Sequence, residues 1–344
     1  MNIKNIEKKL TESNQPKYRL VQILKAVFQD NVFDFDKIVN IPKDLKEILK
    51  DEPIFCFTPI ENLESKNFNT KKMVLKLEDS NIIETVLIKN SKGGYTACVS
   101  SQAGCPLNCA FCATGQNGFI RNLSSEEITD QVLFWKKFIN ENKLNGTLTN
   151  IVYMGMGEPF LNYENFKKSV KCLTDINLFN ISDRAISVST SFSNIENMKD
   201  FFNTFPQVNL AISLHFANDQ KRSTYMPINR EYGIDSIIDF INKHLEKYNR
   251  KILLEYLMLK GINDSERDAE ELMGFINAIE KNYLLHINII PYNSTYKNFK
   301  TTDFKDIIDF ENYFKDKGVN ITLRKSSGED IDAACGQLAG KIKK

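Results

Sequence analysis

Apolar and polar residues follow two different periods along the second half of this chain. From residue 124 onward, stretches with apolar residues three and four apart predict helices, and short β-branched or apolar runs between them predict strands. The predicted helices lie near residues 124–143, 162–176, 193–203, 234–248, 266–280 and 303–317. The predicted strands are 150–154, 185–190, 208–214, 251–258, 286–291 and 320–323. This alternation predicts an α/β fold with a parallel sheet, either doubly wound or a barrel.

The first hundred residues have other patterns. Apolar residues at helical spacing within 18–35 predict a helix, and we interpret residues 1–67 as a helical accessory module. Residues 72–77, 82–88 and 95–100 are β-type runs joined by polar or glycine-containing turns, which predict a meander. The expected organisation is therefore the helical module at 1–67, a β-rich connection at 68–93, and the parallel α/β part with a C-terminal loop at 94–344.

The composition, with 42% hydrophobic and 26% charged residues, is that of an ordinary globular protein. Because 45 Lys and Arg residues nearly cancel 44 Asp and Glu residues, a nucleic-acid partner would need a local basic surface. No apolar run is long enough for a membrane span and no signal-peptide core follows Met1, so we expect a cytoplasmic protein. In that reducing compartment, metal binding or catalysis is a more typical use of the seven cysteines than a disulfide framework, although Cys56 and Cys172 match no motif and are interpreted as structural.

Cys105, Cys109 and Cys112 form a C-x3-C-x2-C pattern directly after a predicted strand. Glycine and proline residues in and beside the pattern disfavour a regular helix, so this loop can wrap round a compact object. Three thiolates suit zinc or an iron–sulfur cluster, but a structural zinc needs a fourth protein ligand, which no nearby His or Cys supplies. Burial as small apolar residues is a third interpretation. The spacing favours a four-iron cluster with one iron open to substrate.

The ends of the predicted strands are further candidates for a ligand site. In parallel α/β proteins, functional groups gather beyond the carboxyl ends of the strands. Two of these ends, at residues 155–159 and 290–293, contain glycine or proline. Isolated polar residues at such positions are equally typical of turns and helix caps. Residue types alone therefore leave both interpretations open.

The cysteine pattern resembles that of the radical S-adenosylmethionine (SAM) superfamily, and other segments are similar to its RlmN/Cfr family of RNA adenine methyltransferases. These segments are residues 98–102 (CVSSQ), 118–123 (GFIRNL), 154–159 (MGMGEP), 213–215 (SLH), 226–229 (MPIN) and 330–338 (DIDAACGQL). The similarity runs in order from about residue 18 to residue 340. The resemblance implies a partial (β/α) barrel with an N-terminal accessory module.

The resemblance also implies the cofactors and their binding residues. A 4Fe-4S cluster would be bound by Cys105, Cys109 and Cys112, and two molecules of SAM would be used in each turnover. The residues that match the family's SAM contacts are Gly157, Glu158, Ser189, Ser213, Leu214, His215 and Asn293. Phe192 stands where the family often has glycine, so a different loop shape is expected after Ser189.

Adenine carbon 2 lies between two ring nitrogens and is electrophilic, so it cannot attack the methyl group of SAM directly. The resemblance implies a radical route in which Cys335 is first methylated by one SAM. A second SAM is cleaved to a 5′-deoxyadenosyl radical, which removes hydrogen from this methyl group, and the resulting carbon radical adds to adenine. Glu84 is then implied as the proton acceptor, and Cys98 as the resolving cysteine that forms a transient disulfide with Cys335. Taken alone, Glu84 and Cys98 resemble ordinary strand residues.

The implied activity is methylation of adenine carbon 2 in 23S rRNA, at the peptidyl transferase centre, and in tRNA beside the anticodon. Glu158-Pro159 and the paired alanines before Cys335 favour carbon 2 over the Cfr-like alternative, carbon 8. A rival from another class is a non-catalytic RNA-binding protein with a structural metal. The expected partners are the two RNAs and an external electron donor such as flavodoxin, with no membrane partner, and the chain is expected to be a monomer. The N-terminal module and the basic tail at 341–344 are the expected phosphate contacts.

Overall fold

The computed structural model describes residues 1–295, 299–325 and 327–340. The strands are β1 (Phe57–Glu64), β2 (Thr70–Leu77), β3 (Ile82–Lys89), β4 (Tyr95–Cys98), β5 (Gln102–Gly104), β6 (Phe119–Asn122), β7 (Leu148–Tyr153), β8 (Ile186–Thr190), β9 (Asn209–Ser213), β10 (Ile252–Met258), β11 (Leu285–Pro291) and β12 (Ile321–Leu323). The helices are α1 (Ile3–Glu12), α2 (Tyr18–Leu24), α3 (Lys43–Leu49), α4 (Ala113–Gln116), α5 (Ser125–Glu141), α6 (Tyr163–Thr174), α7 (Ile195–Thr204), α8 (Asp219–Tyr225), α9 (Ile234–Tyr248), α10 (Glu266–Asn277) and α11 (Phe304–Lys315).

A ten-stranded sheet in the order β1-β2-β3-β4-β7-β8-β9-β10-β11-β12 organises the fold. Strands β1 to β4 form an antiparallel meander, and every pair from β4 and β7 to β11 and β12 is parallel. Within the described residues β1 and β12 do not pair with each other, so the sheet is open. The predicted α/β class with a partial barrel is confirmed. Strands β5 and β6 form a separate hairpin.

The six helices and six strands predicted after residue 124 all occur, with ends displaced by a few residues at most. Helix α5 begins with a capping box in which the Ser124 side chain accepts from the Glu127 backbone N–H and Glu127 accepts in return. Helix α8 was not predicted, because its seven residues, DQKRSTY, have no apolar period.

Strand β1 falls within residues 1–67, which were predicted to be helical, and it pairs with β2 at the edge of the sheet. Its β signal is weak, because Pro59 interrupts it and most of its residues are exposed or half-buried. The helices α1 to α3 precede it, and Ile23, Val27 and Phe28 join the same apolar core as the sheet. The division into domains at residues 67 and 93 stays a prediction.

The segment 328–340, which we call the strap, follows β12 and returns across the sheet. Its hydrogen bonds reach residues far away in sequence. The Lys66 backbone N–H donates to Asp330 Oδ2 at 2.8 Å, Thr114 Oγ1 to the Leu338 carbonyl at 2.6 Å, and Gln337 Nε2 to the Ser294 carbonyl at 3.0 Å. These hydrogen bonds hold the strap in place and so fix the position of Cys335. The basic tail expected to contact phosphate, 341–344, lies outside the described residues.

No helix in the described part of the chain is both long and apolar enough to cross a membrane.

Candidate functional site

A cavity of about 600 Å³ lies within the curve of the sheet. Strands β3, β4 and β7 to β11 contribute to its lining, together with the cysteine loop and the strap. The predicted site residues in this lining are Cys98, Cys105, Cys109, Cys112, Gly157, Glu158, Ser189, Ser213, His215, Asn293 and Cys335. Only Glu84 and Leu214, of those predicted, are outside it. The structure thus brings residues from distant parts of the sequence into one chamber.

The cysteine loop begins where hairpin β5–β6 closes. Gly104 has φ of +73°, and a Cβ atom there would lie 2.0 Å from the Gly118 carbonyl oxygen, so only glycine fits. Cys109 is buried, whereas Cys105 and Cys112 are half-buried. The backbone N–H of Ala113, at the start of α4, donates to the Gly336 carbonyl at 2.8 Å. This bond ties the loop to the strap next to Cys335.

The donor set of this loop fits an iron–sulfur cluster. Three thiols line the same cavity, and burial raises the pKa of the Cys105 and Cys109 thiols, so a metal must displace the protons of these two groups. Among the described residues, no group of three or more His, Cys, Asp and Glu side chains is placed to hold a metal ion. In a four-iron cluster each thiolate binds a different iron, so such ligands surround a volume instead of converging on one point.

Glu158 is buried at the end of the loop after β7, and backbone groups fix both of its oxygens. Oε2 accepts from the Ser191 N–H at 2.9 Å, and Oε1 accepts from the Phe160 N–H at 3.3 Å. Burial raises the pKa of this carboxyl group. The preceding Gly157 has φ of +99°, and a Cβ atom there would lie 2.5 Å from Gln102 Cβ. A carboxylate held in this way can accept hydrogen bonds from a cationic ligand group.

The carboxyl ends of β8 and β9 lie side by side. Ser189 Oγ and Ser213 Oγ are 3.3 Å apart. Phe192 takes φ of +70°, the conformation that glycine favours, and its ring is buried against Phe240 and Tyr232. The Phe192 backbone therefore has a left-handed conformation, and the aromatic packing of its ring offsets the strain. The expectation of a different loop shape after Ser189 stays a prediction.

His215 is a neutral side chain, and one of its ring nitrogens accepts a hydrogen bond from the backbone. The Leu257 N–H donates to its Nδ1 at 3.1 Å, which leaves the ring proton on Nε2, and burial lowers the pKa of the imidazole to about 3. The preceding Leu214 points into the core and is fully buried. Its carbonyl accepts from Arg222 Nε at 3.2 Å. Leu214 therefore contributes backbone positioning beside the cavity.

Cys98 and Cys335 lie at the same side of the cavity, with Arg324 beside them. Cys98 ends β4 and is buried, while Cys335 is exposed at the tip of the strap. Asn293 Nδ2 donates to the Cys335 carbonyl at 3.2 Å. Burial raises the pKa of the Cys98 thiol to about 12, with Cys335 adding to the effect and Arg324 opposing it. All seven cysteines are described and free, so the implied transient disulfide is not present in this structure.

Glu84 lies behind the cavity wall on β3. Its Oε1 is 3.2 Å from Lys72 Nζ, and its Oε2 accepts from the Ala339 N–H at 2.9 Å. Burial raises the pKa of the Glu84 carboxyl group, and the ammonium group of Lys72 opposes this shift. Both oxygens of this carboxylate are therefore bound by groups of the protein itself.

Four charged residues at the site were missed in the sequence: Lys72, Arg222, Glu255 and Arg324. Arg222 is fully buried and donates to the carbonyls of Ser191 at 2.9 Å and Ser213 at 3.3 Å, joining two strand-end loops. The Glu255 carboxylate lies 3.6 Å from Arg324 Nη1, longer than a hydrogen bond. A charge inside an apolar strand run, as at Glu255, was the available signal, because burial of a charge requires a partner.

The chain is similar to known proteins along nearly its whole length. Residues 99–273 match the family model described as Radical SAM superfamily. The chain is 43% identical over 342 residues to "Dual-specificity RNA methyltransferase RlmN" of Nautilia profundicola, covering 95% of this chain and 94% of that protein. It is 40% identical to "Probable dual-specificity RNA methyltransferase RlmN" of Staphylococcus saprophyticus, covering 97% and 90%. A crystal structure of a radical SAM methyltransferase from Sphaerobacter thermophilus superposes with a TM-score of 0.91 and 35% identity, covering 99% and 98%.

Proposed function

Because this chain belongs to the RlmN family within the radical SAM superfamily, we propose that it methylates carbon 2 of adenine in 23S rRNA and in tRNA. The observation that most supports the proposal is that Cys98, Cys335 and the three-cysteine loop line one cavity. A non-catalytic RNA-binding protein with a structural metal would have no use for that arrangement. The Glu158-Pro159 pair and the alanines before Cys335 favour carbon 2 over carbon 8.

In this proposal Cys105, Cys109 and Cys112 hold a 4Fe-4S cluster, and the bound cluster supplies the electron for reductive cleavage of SAM. Glu158 accepts from the ammonium group of SAM, since its oxygens are fixed by backbone N–H groups. The neutral His215 offers its Nε2 proton as a donor, and Gly157 allows close approach of the backbone. Ser189 and Ser213 contribute hydroxyl groups from the adjacent strand ends. Leu214 and Asn293 complete the proposed set.

Cys335 accepts the first methyl group, because its thiol is exposed and its backbone is held by Asn293. After the adenine adduct forms, Glu84 accepts the proton, a role that suits a carboxyl group whose pKa is raised by burial. The adduct also loses its unpaired electron, which the oxidised cluster would accept. The Cys98 thiolate then attacks the sulfur of Cys335, which forms a disulfide and breaks the bond between that sulfur and the transferred carbon. The carbon keeps the electron pair of this bond and takes up a proton, which gives the methyl group of the product. Arg324 supports this step by favouring the thiolate of Cys98.

Two molecules of SAM are used in each turnover, one for Cys335 and one for hydrogen removal. An external electron donor such as flavodoxin reduces the cluster, and a further reductant restores the two thiols. We propose that the protein acts in the cytoplasm, where it meets its RNA substrates, and that it acts as a monomer. The N-terminal helices are the proposed contacts to RNA phosphates.

The product nucleoside tests the position of methylation. We incubate 23S rRNA and tRNA with the reconstituted protein, SAM and a reductant, and digest the RNA to nucleosides. We expect the methylated nucleoside to co-elute with 2-methyladenosine in liquid chromatography coupled to mass spectrometry. Unmodified RNA from cells that lack the enzyme is the substrate, and protein without SAM is the control. A main product of 8-methyladenosine would assign the Cfr-like reaction instead.

Loss of one cluster ligand tests the cofactor. The anaerobically reconstituted protein is expected to show broad iron–sulfur absorption, and Cys109→Ala is expected to lose it together with SAM cleavage, because a buried thiolate ligand is missing. Cys172→Ala, a cysteine outside the cavity, is the matched control and should keep both. Stoichiometric zinc without iron uptake in the wild type would contradict the cluster and favour a structural metal.

A further inference from the structure

Lys72 and Glu84 form a buried ion pair on neighbouring strands behind the cavity. Lys72 belongs to β2 and Glu84 to β3, and their side chains are 4% and 2% exposed. A buried lysine is costly unless its charge is paired and its protons are donated. Lys72 Nζ is 3.2 Å from Glu84 Oε1 and donates to the Asp332 carbonyl at 3.1 Å. The pair thus reaches from the sheet to the strap.

The same pair holds the strap on both sides of Cys335. Lys72 binds the carbonyl of Asp332, before the cysteine, and Glu84 Oε2 accepts from the Ala339 N–H, after it, at 2.9 Å. The strap lies directly on the two strands at its ends. A Cβ atom at Gly328 would be 2.6 Å from Thr70 Cγ2, and one at Gly340 would be 2.8 Å from the Ile82 carbonyl oxygen. The segment between these points presents Cys335 to the cavity.

We propose that Lys72 is a positioning residue for the reaction, and that with Glu84 it clamps both flanks of Cys335 so that the thiol faces the methyl donor. The inference rests on the proposed function, because Cys335 must there accept a methyl group. Neither charge lines the cavity in this structure, so before RNA binds the pair acts on Cys335 through the strap. The clamp also gives Glu84 a positioning role in the methylation of Cys335, before any proton is removed from RNA.

This positioning role can be distinguished by experiment from the role of Glu84 as proton acceptor. Methylation of Cys335 by SAM requires neither RNA nor the removal of a proton from an adduct, whereas release of the product requires both. A residue that only accepts the proton affects the second half of the cycle. A residue that positions Cys335 affects the first half as well, since misplacing a reacting atom by about 1 Å can cost about 100-fold in rate.

The experiment measures single-turnover methylation of Cys335 in reconstituted protein without RNA, with methyl-labelled SAM and peptide mass spectrometry. We expect Lys72→Met and Glu84→Gln each to slow this step by at least about tenfold, while SAM affinity and cluster absorption stay as in the wild type. Lys72→Arg keeps the charge and is expected to recover part of the rate. Lys76→Met is the matched control, because Lys76 is an exposed lysine on the same strand.

Lys72→Met leaves Glu84 buried without its ion-pair partner and can impair folding, so the double variant Lys72→Met/Glu84→Gln removes both charges. In this folded double variant, hydrogen exchange of residues 328–340 is expected to be faster than in the wild type. Methylation of Cys335 at the wild-type rate in both Lys72→Met and the double variant would overturn the clamp. If the wild type itself forms neither S-methylcysteine nor methyladenosine, the proposed function fails instead, so the two failures are distinguishable.

Discussion

Replacing Cys335 with alanine is expected to lower the formation of methyladenosine by at least about 10³-fold, because the group that accepts the methyl carbon is removed. The fold should survive. Cys335 is exposed, and its position in the strap depends on a backbone carbonyl that accepts from Asn293. The measurement is the amount of methylated nucleoside per enzyme after incubation with SAM, reductant and unmodified RNA.

Binding of the cluster and of SAM provides the internal control for this variant. Cys335→Ala retains the three-cysteine loop, so it should keep its cluster absorption and bind SAM with wild-type affinity. Cys172→Ala is again the matched cysteine control and should methylate RNA normally. Product formation by Cys335→Ala at more than a few per cent of the wild-type rate would exclude an obligatory S-methylcysteine.

Replacing Cys98 with alanine is expected to trap the enzyme on its RNA. The methyl group can still reach Cys335 and the carbon can still add to adenine, but no thiolate remains to attack the Cys335 sulfur. The expected result is a covalent protein–RNA species that survives denaturing electrophoresis and accumulates to about one RNA per active enzyme. Nuclease digestion and peptide mass spectrometry should place the modified adenosine on Cys335.

The double variant Cys98→Ala/Cys335→Ala decides whether the cross-link runs through Cys335. It should form no adduct, like Cys335→Ala alone. Normal turnover by Cys98→Ala would contradict the resolving role. In that case the buried position of Cys98 at the end of β4 would indicate a packing role.

The parallel α/β part could be predicted because the apolar residues of its helices and strands have different spacings, and both spacings are visible in short stretches of sequence. Helix α9 begins and ends at the predicted residues 234 and 248. Strand β1 was missed because a half-exposed edge strand with proline has little β signal, and α8 because it is short and polar. The site followed partly from local spacing in the cysteine loop and partly from the family resemblance.

The rest of the site depends on contacts that local sequence does not encode. No spacing rule relates Cys98 to Cys335, and the resemblance alone suggested their pairing. Arg324 was overlooked because it is one of many basic residues, and only the folded chain places it beside both thiols. Likewise local sequence does not reveal the contacts of the Glu84 carboxylate with Lys72 and the Ala339 N–H.

The strap has a consequence for the order in which this protein is assembled. Chains are made from the N terminus and begin to fold during synthesis. Lys66, Thr114 and Ser294, which bind the strap, and all twelve strands are therefore made before residue 328. The strap, which carries Cys335, is therefore the last part of the chamber wall to be made. A bulky prosthetic group that enters before the strap docks meets a wider chamber than the finished one.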